Sequence, residues 1–235
     1  MKTTDLSNAA YASDYIAKCN ETTADIIKPE NLMDKELIKP EGDYTRTVTN
    51  YRAKRGAYTL TLSTNKVAAA NGTLVHEYIN QYGHPFFCTP VTHSNGRKYL
   101  AYKEDLYGYS VLELETKKIF KYFPTASWKG GETFIVTDIH YNPSNDIVAA
   151  GGCYWACPTG VFLFEIKDPM AQFTRYLDIQ KIMGNYDKYD SLDFQSWEGA
   201  DLLLKAYNIE NEDNYFYETI RLAQEEYENS MCPVM

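Results

Sequence analysis

Asp138 and Asp193 each stand directly before an apolar residue in a strand-like run, in TDI and LDF, and His140 follows two positions after the first of them. Two carboxylates and a histidine facing one cavity can do general acid–base work, and carboxylates alone can coordinate a cation. On that reading Asp138, Asp193 and His140 would serve a hydrolase acting on a glycan or a small ester. Acids at such positions more often accept hydrogen bonds from backbone amides, and Thr47 and Pro90 hold the corresponding places in two related segments. No catalytic residue is assigned from this pattern.

Cys153 and Cys157 bracket Tyr154 and Trp155 in GGCYWACPTG. Zinc sites generally use closer cysteine pairs with a second pair elsewhere, and redox pairs are spaced CxxC. Here the spacing is CxxxC with no second pair, so the stretch reads as a bend, with Gly151, Gly152, Pro158 and Gly160 supplying its turn residues. His84 and Cys88, four apart, would share a side of a strand, and His93 and His140 could approach from neighbouring strands. None of these has a recognisable ligand spacing, so half-buried histidines are the better account and no metal or cofactor is expected. The sequence contains no GxSxG, Walker-type loop, HExxH or dinucleotide fingerprint.

The net charge of −9 disfavours nucleic acid and anionic membranes as partners. RAKRG (52–56) is a short basic cluster, best read as a surface turn. No apolar run approaches the ~18 residues of a membrane span, and the start lacks a hydrophobic signal core. Five cysteines, odd in number and scattered, do not suggest a secreted disulfide framework. These features together read as cytoplasmic.

The elements that would position these residues are strands and turns. Residues 1–45 read as an N-terminal arm, extended or partly helical, with proline in both copies of IKPE and a short helix at SNAAYASDYIAKC. From residue 46 onward, strand–turn–strand patterns recur: KVAAANGTLVHEYI around Asn71-Gly72, YSVLELETKKIFKYF around residues 115–118, and GVFLFEIKDPMAQFTRYL around Asp168-Pro169. A longer period overlies them. Val91 to Leu100, Ile139 to Val148 and Phe194 to Leu203 share a nine-residue offset across a polar turn, and a looser copy starts at Val48. The steps between copies are 43, 48 and 55 residues, each long enough for four short strands.

In this the segments, particularly NPSNDIVAAGG followed by VFLFEIKDP, resemble WD40-like β-propeller repeats over residues 47–222. The resemblance is one of texture, without the Trp-Asp and Gly-His signatures, and it transfers no site residue. It implies an all-β fold of about four propeller-like antiparallel four-stranded repeats spanning 46–235. The last copy is short of its outer strand, which the N-terminal arm could supply; AQEEYENSM after it reads as helix or tail.

In such a repeat, one set of loops gathers on one face. Those loops carry Trp155, Tyr154, Trp128, Tyr107, Tyr109, Tyr82, Tyr186 and Tyr189, in a chain with 21 tyrosines against 10 phenylalanines. Aromatic loops supply large rigid contact area, and about half of these rings are expected to pack onto neighbours instead. The expected function is non-catalytic recognition of a protein or peptide through this face. A hydrolase using Asp138, Asp193 and His140, or an assembly protein that pairs as a homodimer, are the alternatives.

Overall fold

The computed structural model describes residues 4–38, 42–82, 86–184, 188–211 and 214–234. The protein is mainly β. After helix α1 (Ser13–Ile26) and one 3-10 turn, strands β1 (Leu32–Ile38), β2 (Tyr44–Arg55), β3 (Tyr58–Ala69) and β4 (Leu74–Asn80) form a first sheet. A second contains β5 (Cys88–Thr92), β6 (Lys98–Tyr102), β7 (Tyr109–Glu113) and β8 (Ile119–Tyr122). One short helical turn, α2 (Thr125–Trp128), leads to the third: β9 (Ile135–Asn142), β10 (Ile147–Cys153), β11 (Thr159–Glu165) and β12 (Arg175–Asp178). A second turn, α3 (Ile179–Ile182), precedes the fourth: β13 (Ser191–Glu198), β14 (Asp201–Asn211) and β15 (Asn214–Leu222). Helix α4 (Gln224–Ser230) and a two-residue strand, β16 (Cys232–Pro233), end the chain, with β16 joining the third sheet beside β12. All four sheets are antiparallel meanders of three to five strands, and no closed barrel or propeller is found among the described residues.

The hairpins fall where turn chemistry puts them. Gly72 sits at φ 80° between β3 and β4, while Asn71 Oδ1 accepts from the Thr73 amide at 3.0 Å. At Gly152 the constraint is space: a Cβ there would lie 2.0 Å from the Ile135 carbonyl oxygen, at a bulge where β10 slips against β9.

Strand alternation then builds the stack. Ile147, Ala149, Val161 and Leu163 of the third sheet pack against Leu192, Leu202 and Leu204 of the fourth. From its opposite face Ile139, Tyr141 and Val148 meet Val91, Tyr99 and Val111 of the second across a small apolar gap. The second sheet turns Leu100, Tyr102 and Leu112 to Val67 and Tyr78 of the first. A middle sheet must bury both faces, which is why β10 reads as the unbroken small and apolar run IVAAGG.

Two expectations are modified. The copies at Val91, Ile139 and Phe194 fall on the first strands of the second, third and fourth sheets, but Val48 lies on the second strand of the first sheet. The reason is β1, contributed by the N-terminal segment and paired with β2 from Leu32 opposite Tyr51 to Ile38 opposite Arg46. Among the described residues the fourth sheet has three strands and lacks an outer one, and the N-terminal segment does not fill it. Instead residues 7–9 run beside β8, where Asn8 bridges Pro124 and the Ala9 amide donates to the Phe123 carbonyl at 2.8 Å. Among the described residues no helix is long and apolar enough to cross a membrane.

Candidate functional site

Meander topology sends the β6–β7, β8–β9 and β10–β11 connections to one end of the stack, together with the end of β4. Contacts between them confirm the shared face. The Gln81 amide donates to the Glu104 carbonyl at 2.8 Å, Lys103 Nζ donates to the Val136 carbonyl at 2.7 Å, and the Trp155 amide donates to Glu132.

Helix α1 lies along this end of the first two sheets. Its i, i+3 and i+4 spacing brings Asp14, Lys18, Glu21 and Asp25 to one side. Asp14 accepts from Trp128 Nε1 at 3.0 Å, Lys18 sits over the Trp128 ring, and Glu21 pairs with Arg55 at 2.6 Å. Tyr15 packs on Phe123 with centroids 4.6 Å apart, and Thr23 accepts from Gln81 Nε2 at 3.2 Å. The helix is fastened mainly by polar contacts, so few of its residues are apolar enough to announce it as a packing helix.

Beneath it runs a groove of about 780 Å³, lined by Tyr15 and Cys19 of the helix, Tyr51, Glu77 and Tyr78 of the first sheet, and Glu104, Asp105, Tyr107 and Lys121 of the second. Glu104 is held in place: it accepts from Ser110 Oγ at 2.6 Å and Lys121 Nζ at 2.8 Å. Asp105 accepts from the Leu106 amide at 2.6 Å and from the Tyr15 hydroxyl at 3.1 Å. Burial nevertheless outweighs these bonds and raises the Asp105 carboxyl above its usual pKa. Burial, reinforced by Asp105, likewise drives the Tyr15 phenol far up.

Behind the groove Lys103 is completely buried. Its ammonium donates to the carbonyls of Leu106 and Val136 and lies 4.1 Å from the centroid of the Phe86 ring. Burial lowers its pKa to about 7. His76 lies against Tyr102 with centroids 4.8 Å apart; its buried Nε2 has no hydrogen-bond partner among the described residues, and burial lowers its pKa.

The aromatic residues singled out by sequence divide. Trp155, 65% exposed, tips the β10–β11 turn, and Tyr82, 49% exposed, stands at the end of β4. Charge from Asp105 and Tyr107 adds to burial in raising the Tyr82 phenol, placing these groups near one another. Tyr107 lines the groove, with burial, Glu132 and Asp105 raising its hydroxyl. The others mainly pack: Tyr154 on Phe134 and Phe162, Trp128 on Tyr15, Tyr109 on Tyr122, and Tyr189 in the core between the third and fourth sheets. Tyr186 and His84 lie outside the described residues.

The acid–base candidates form a pair rather than a triad. His140 Nε2 and Asp138 Oδ1 are 2.9 Å apart, and that hydrogen bond is the leading cause of a lowered Asp138 pKa. His140 stacks on Phe194 at 3.9 Å, beside a cavity of about 410 Å³ lined by β5, β9 and β13. Asp193, next to Phe194 in the pleat, points to the opposite, exposed face of β13 and is not brought to Asp138. His93 is also separated from His140: it stacks on Tyr141, on the other face of β9, and meets the Ile166 carbonyl at 2.9 Å. Cys88 packs in the core between the first and second sheets.

Cys153 and Cys157 are free thiols at the β10–β11 turn, closed by the Cys157 amide on the Tyr154 carbonyl at 3.0 Å. Among the described residues no group of three or more His, Cys, Asp or Glu side chains is placed to hold a metal ion. Sequence reasoning missed the groove, although KEDLYG, three charged residues directly after an apolar strand, marks the loop that forms its floor.

No family model matches the chain. It is similar to uncharacterized protein R762 of Acanthamoeba polyphaga mimivirus, 26% identical over 182 residues covering 74% of this chain. The matched region spans 66% of that viral protein, just under two thirds of its length.

Proposed function

We propose that this chain is a non-catalytic recognition module that holds a protein or peptide segment on its loop face, in the groove beneath α1. The groove carries the reading. It combines about 780 Å³ of space with seven tyrosines, an arrangement of rigid aromatic surface suited to binding an extended segment. Glu77, Glu104 and Asp105 against Lys66 and Lys121 give its lining an acidic balance, and the chain carries a charge of −9, so the favoured ligand presents lysine or arginine. Exposed Trp155 and Tyr82 extend the contact surface beyond it. The four stacked meanders support a propeller-like arrangement of blades for the fold, and five free cysteines support a cytoplasmic setting.

The test is fluorescence anisotropy against a labelled peptide library graded in charge. Saturable binding of basic, aromatic-containing peptides, lost in Tyr107→Ala and weakened in Asp105→Asn, is the expected result. Equal affinity of wild type and both folded variants for every peptide would reject the groove.

The hydrogen-bonded Asp138 and His140 beside the second cavity favour one other reading, general acid–base catalysis there. Hydrolysis of aryl glycosides or esters that disappears in Asp138→Asn would move the assignment to that cavity.

A further inference from the structure

Three of the four sheets have four or more strands; the fourth stops at β15, leaving its outer edge without a partner strand among the described residues. Of the other late edges, β4 of the first sheet is also open among the described residues, and the remaining two are handled within the chain. Residues 7–9 lie along β8, and β16 pairs with β12, continued by the Val234 amide on the Thr174 carbonyl at 3.0 Å. Strand β15, NYFYETIRL, lacks proline and lysine, its register shift lies only near its hairpin end, and its charged residues are one Glu and one Arg of opposite sign. It also displays Phe216, 41% exposed, and Tyr217, 60% exposed.

We infer that β15 pairs antiparallel with β15 of a second copy of this chain, about a two-fold axis at Thr219, joining two three-stranded sheets into one of six.

Charge and pleat select both the occupant and the register. The strand carries one Glu and one Arg, so it is locally neutral in a strongly acidic chain and does not repel its own copy. A two-fold axis perpendicular to the sheet keeps faces continuous and must pass through a residue paired with itself. An axis at Glu218 would set two carboxylates opposite one another. An axis at Thr219 sets Tyr217 opposite Arg221 of the second copy, and Phe216 opposite Leu222. Arg221 is already fixed for such a contact: Asp201 accepts at 2.7 and 2.9 Å and Glu198 at 2.9 Å, which hold the guanidinium in place. Tyr217 is positioned by Tyr207, 4.8 Å away, and by Lys205 over its ring. A planar cation held beside a ring needs little ordering on association.

Edge pairing alone buries less than the roughly 1,200 Å² of a tight complex, so the dimer forms in the micromolar range or weaker. Sedimentation velocity from 1 to 500 μM (about the range this class requires) should show concentration-dependent dimerisation. Thr219→Lys sets two ammonium groups at the axis and should weaken it by about tenfold or more while leaving the melting midpoint nearly unchanged. In a background of Cys157→Ser and Cys232→Ser, Thr219→Cys should cross-link into a disulfide dimer under mild oxidation. Gln195→Cys, on the same face of the sheet but on β13, should not. A monomer at every concentration overturns the inference. So does a dimer that Thr219→Lys leaves intact and Thr219→Cys does not trap.

Discussion

The Tyr15 hydroxyl donates to Asp105 at 3.1 Å, tying helix α1 to the β6–β7 loop across 90 residues of sequence. The bond closes one side of the groove and restrains a carboxyl that burial has already made reluctant to ionise. Tyr15→Phe keeps the ring against Phe123 and removes the hydroxyl, which also meets Cys19, so it should cost about 0.5–1.5 kcal/mol in chemical denaturation. An unchanged denaturation midpoint would mean that the helix is held by its other contacts.

Lys103 gives stability a distinct dependence on pH. Its folded pKa of about 7 lies below the usual 10.5, so between those values the unfolded chain binds more protons than the folded one. Stability from this group therefore rises with pH across the window, and below pH 7 its contribution is flat. Thiols and tyrosines whose pKa burial raises, Cys19, Cys88 and Cys153 among them, act in the opposite direction as pH nears their ordinary values of 9 and 10, so the range to measure is about pH 7 to 8. Urea midpoints should climb over that range in the wild type, and Lys103→Met should flatten the climb.

His76 works in the same sense at lower pH. With a folded pKa held below 6.5 by burial, protonation favours the unfolded chain as pH falls through that ordinary value. Thermal melts between pH 7.5 and 5 should lose stability less steeply in His76→Phe, which keeps an aromatic ring between Tyr78 and Tyr102.

The aromatic residues on the loop face should separate by function. Trp155→Ala and Tyr82→Ala alter exposed rings and should move folding stability by no more than about 0.5 kcal/mol. Tyr154→Ala removes a ring packed on Phe134 and Phe162 and should cost about 1–3 kcal/mol. Denaturation curves for the three variants, run beside the peptide titrations, distinguish lost binding from lost folding.

Gly152→Ala should be among the most damaging single-methyl changes, at about 3 kcal/mol or more, because its Cβ would collide with the Ile135 backbone. Gly199→Ala, at φ 62° with open space around the new carbon, should cost about 1 kcal/mol. Similar midpoints for the two would remove the close strand approach from the account.

Much of the strand order was legible because hairpins are local. Asn71-Gly72 and Asp168-Pro169 mark turns by their own backbone preferences, and the flanking alternation fixes the paired strands. The first sheet's phase was not legible: Val48 matched the other copies, but nothing local announced that β1 would pair in front of it. Asp193 shows that matching positions in successive sheets need not converge: it lies on the outer face of the fourth sheet while Asp138 faces the inner one, leaving Asp138 with His140 alone. The groove was hidden for another reason. Its helix is docked by polar groups distant in sequence, and a fully buried Lys103 resembles an ordinary surface lysine until the sheets around it are placed.

Because residues 7–9 edge the second sheet and Cys232–Val234 edge the third, these two edges are sealed at different moments in synthesis. The N-terminal segment must remain unattached until β8 has emerged more than a hundred residues later. The third sheet receives its outer edge only after Cys232–Val234 have been made, and in the folded chain Gln172 donates to the Leu6 carbonyl at 2.8 Å. Until Cys232–Val234 have emerged β12 stays unsealed, so one very short segment governs whether that edge is protected.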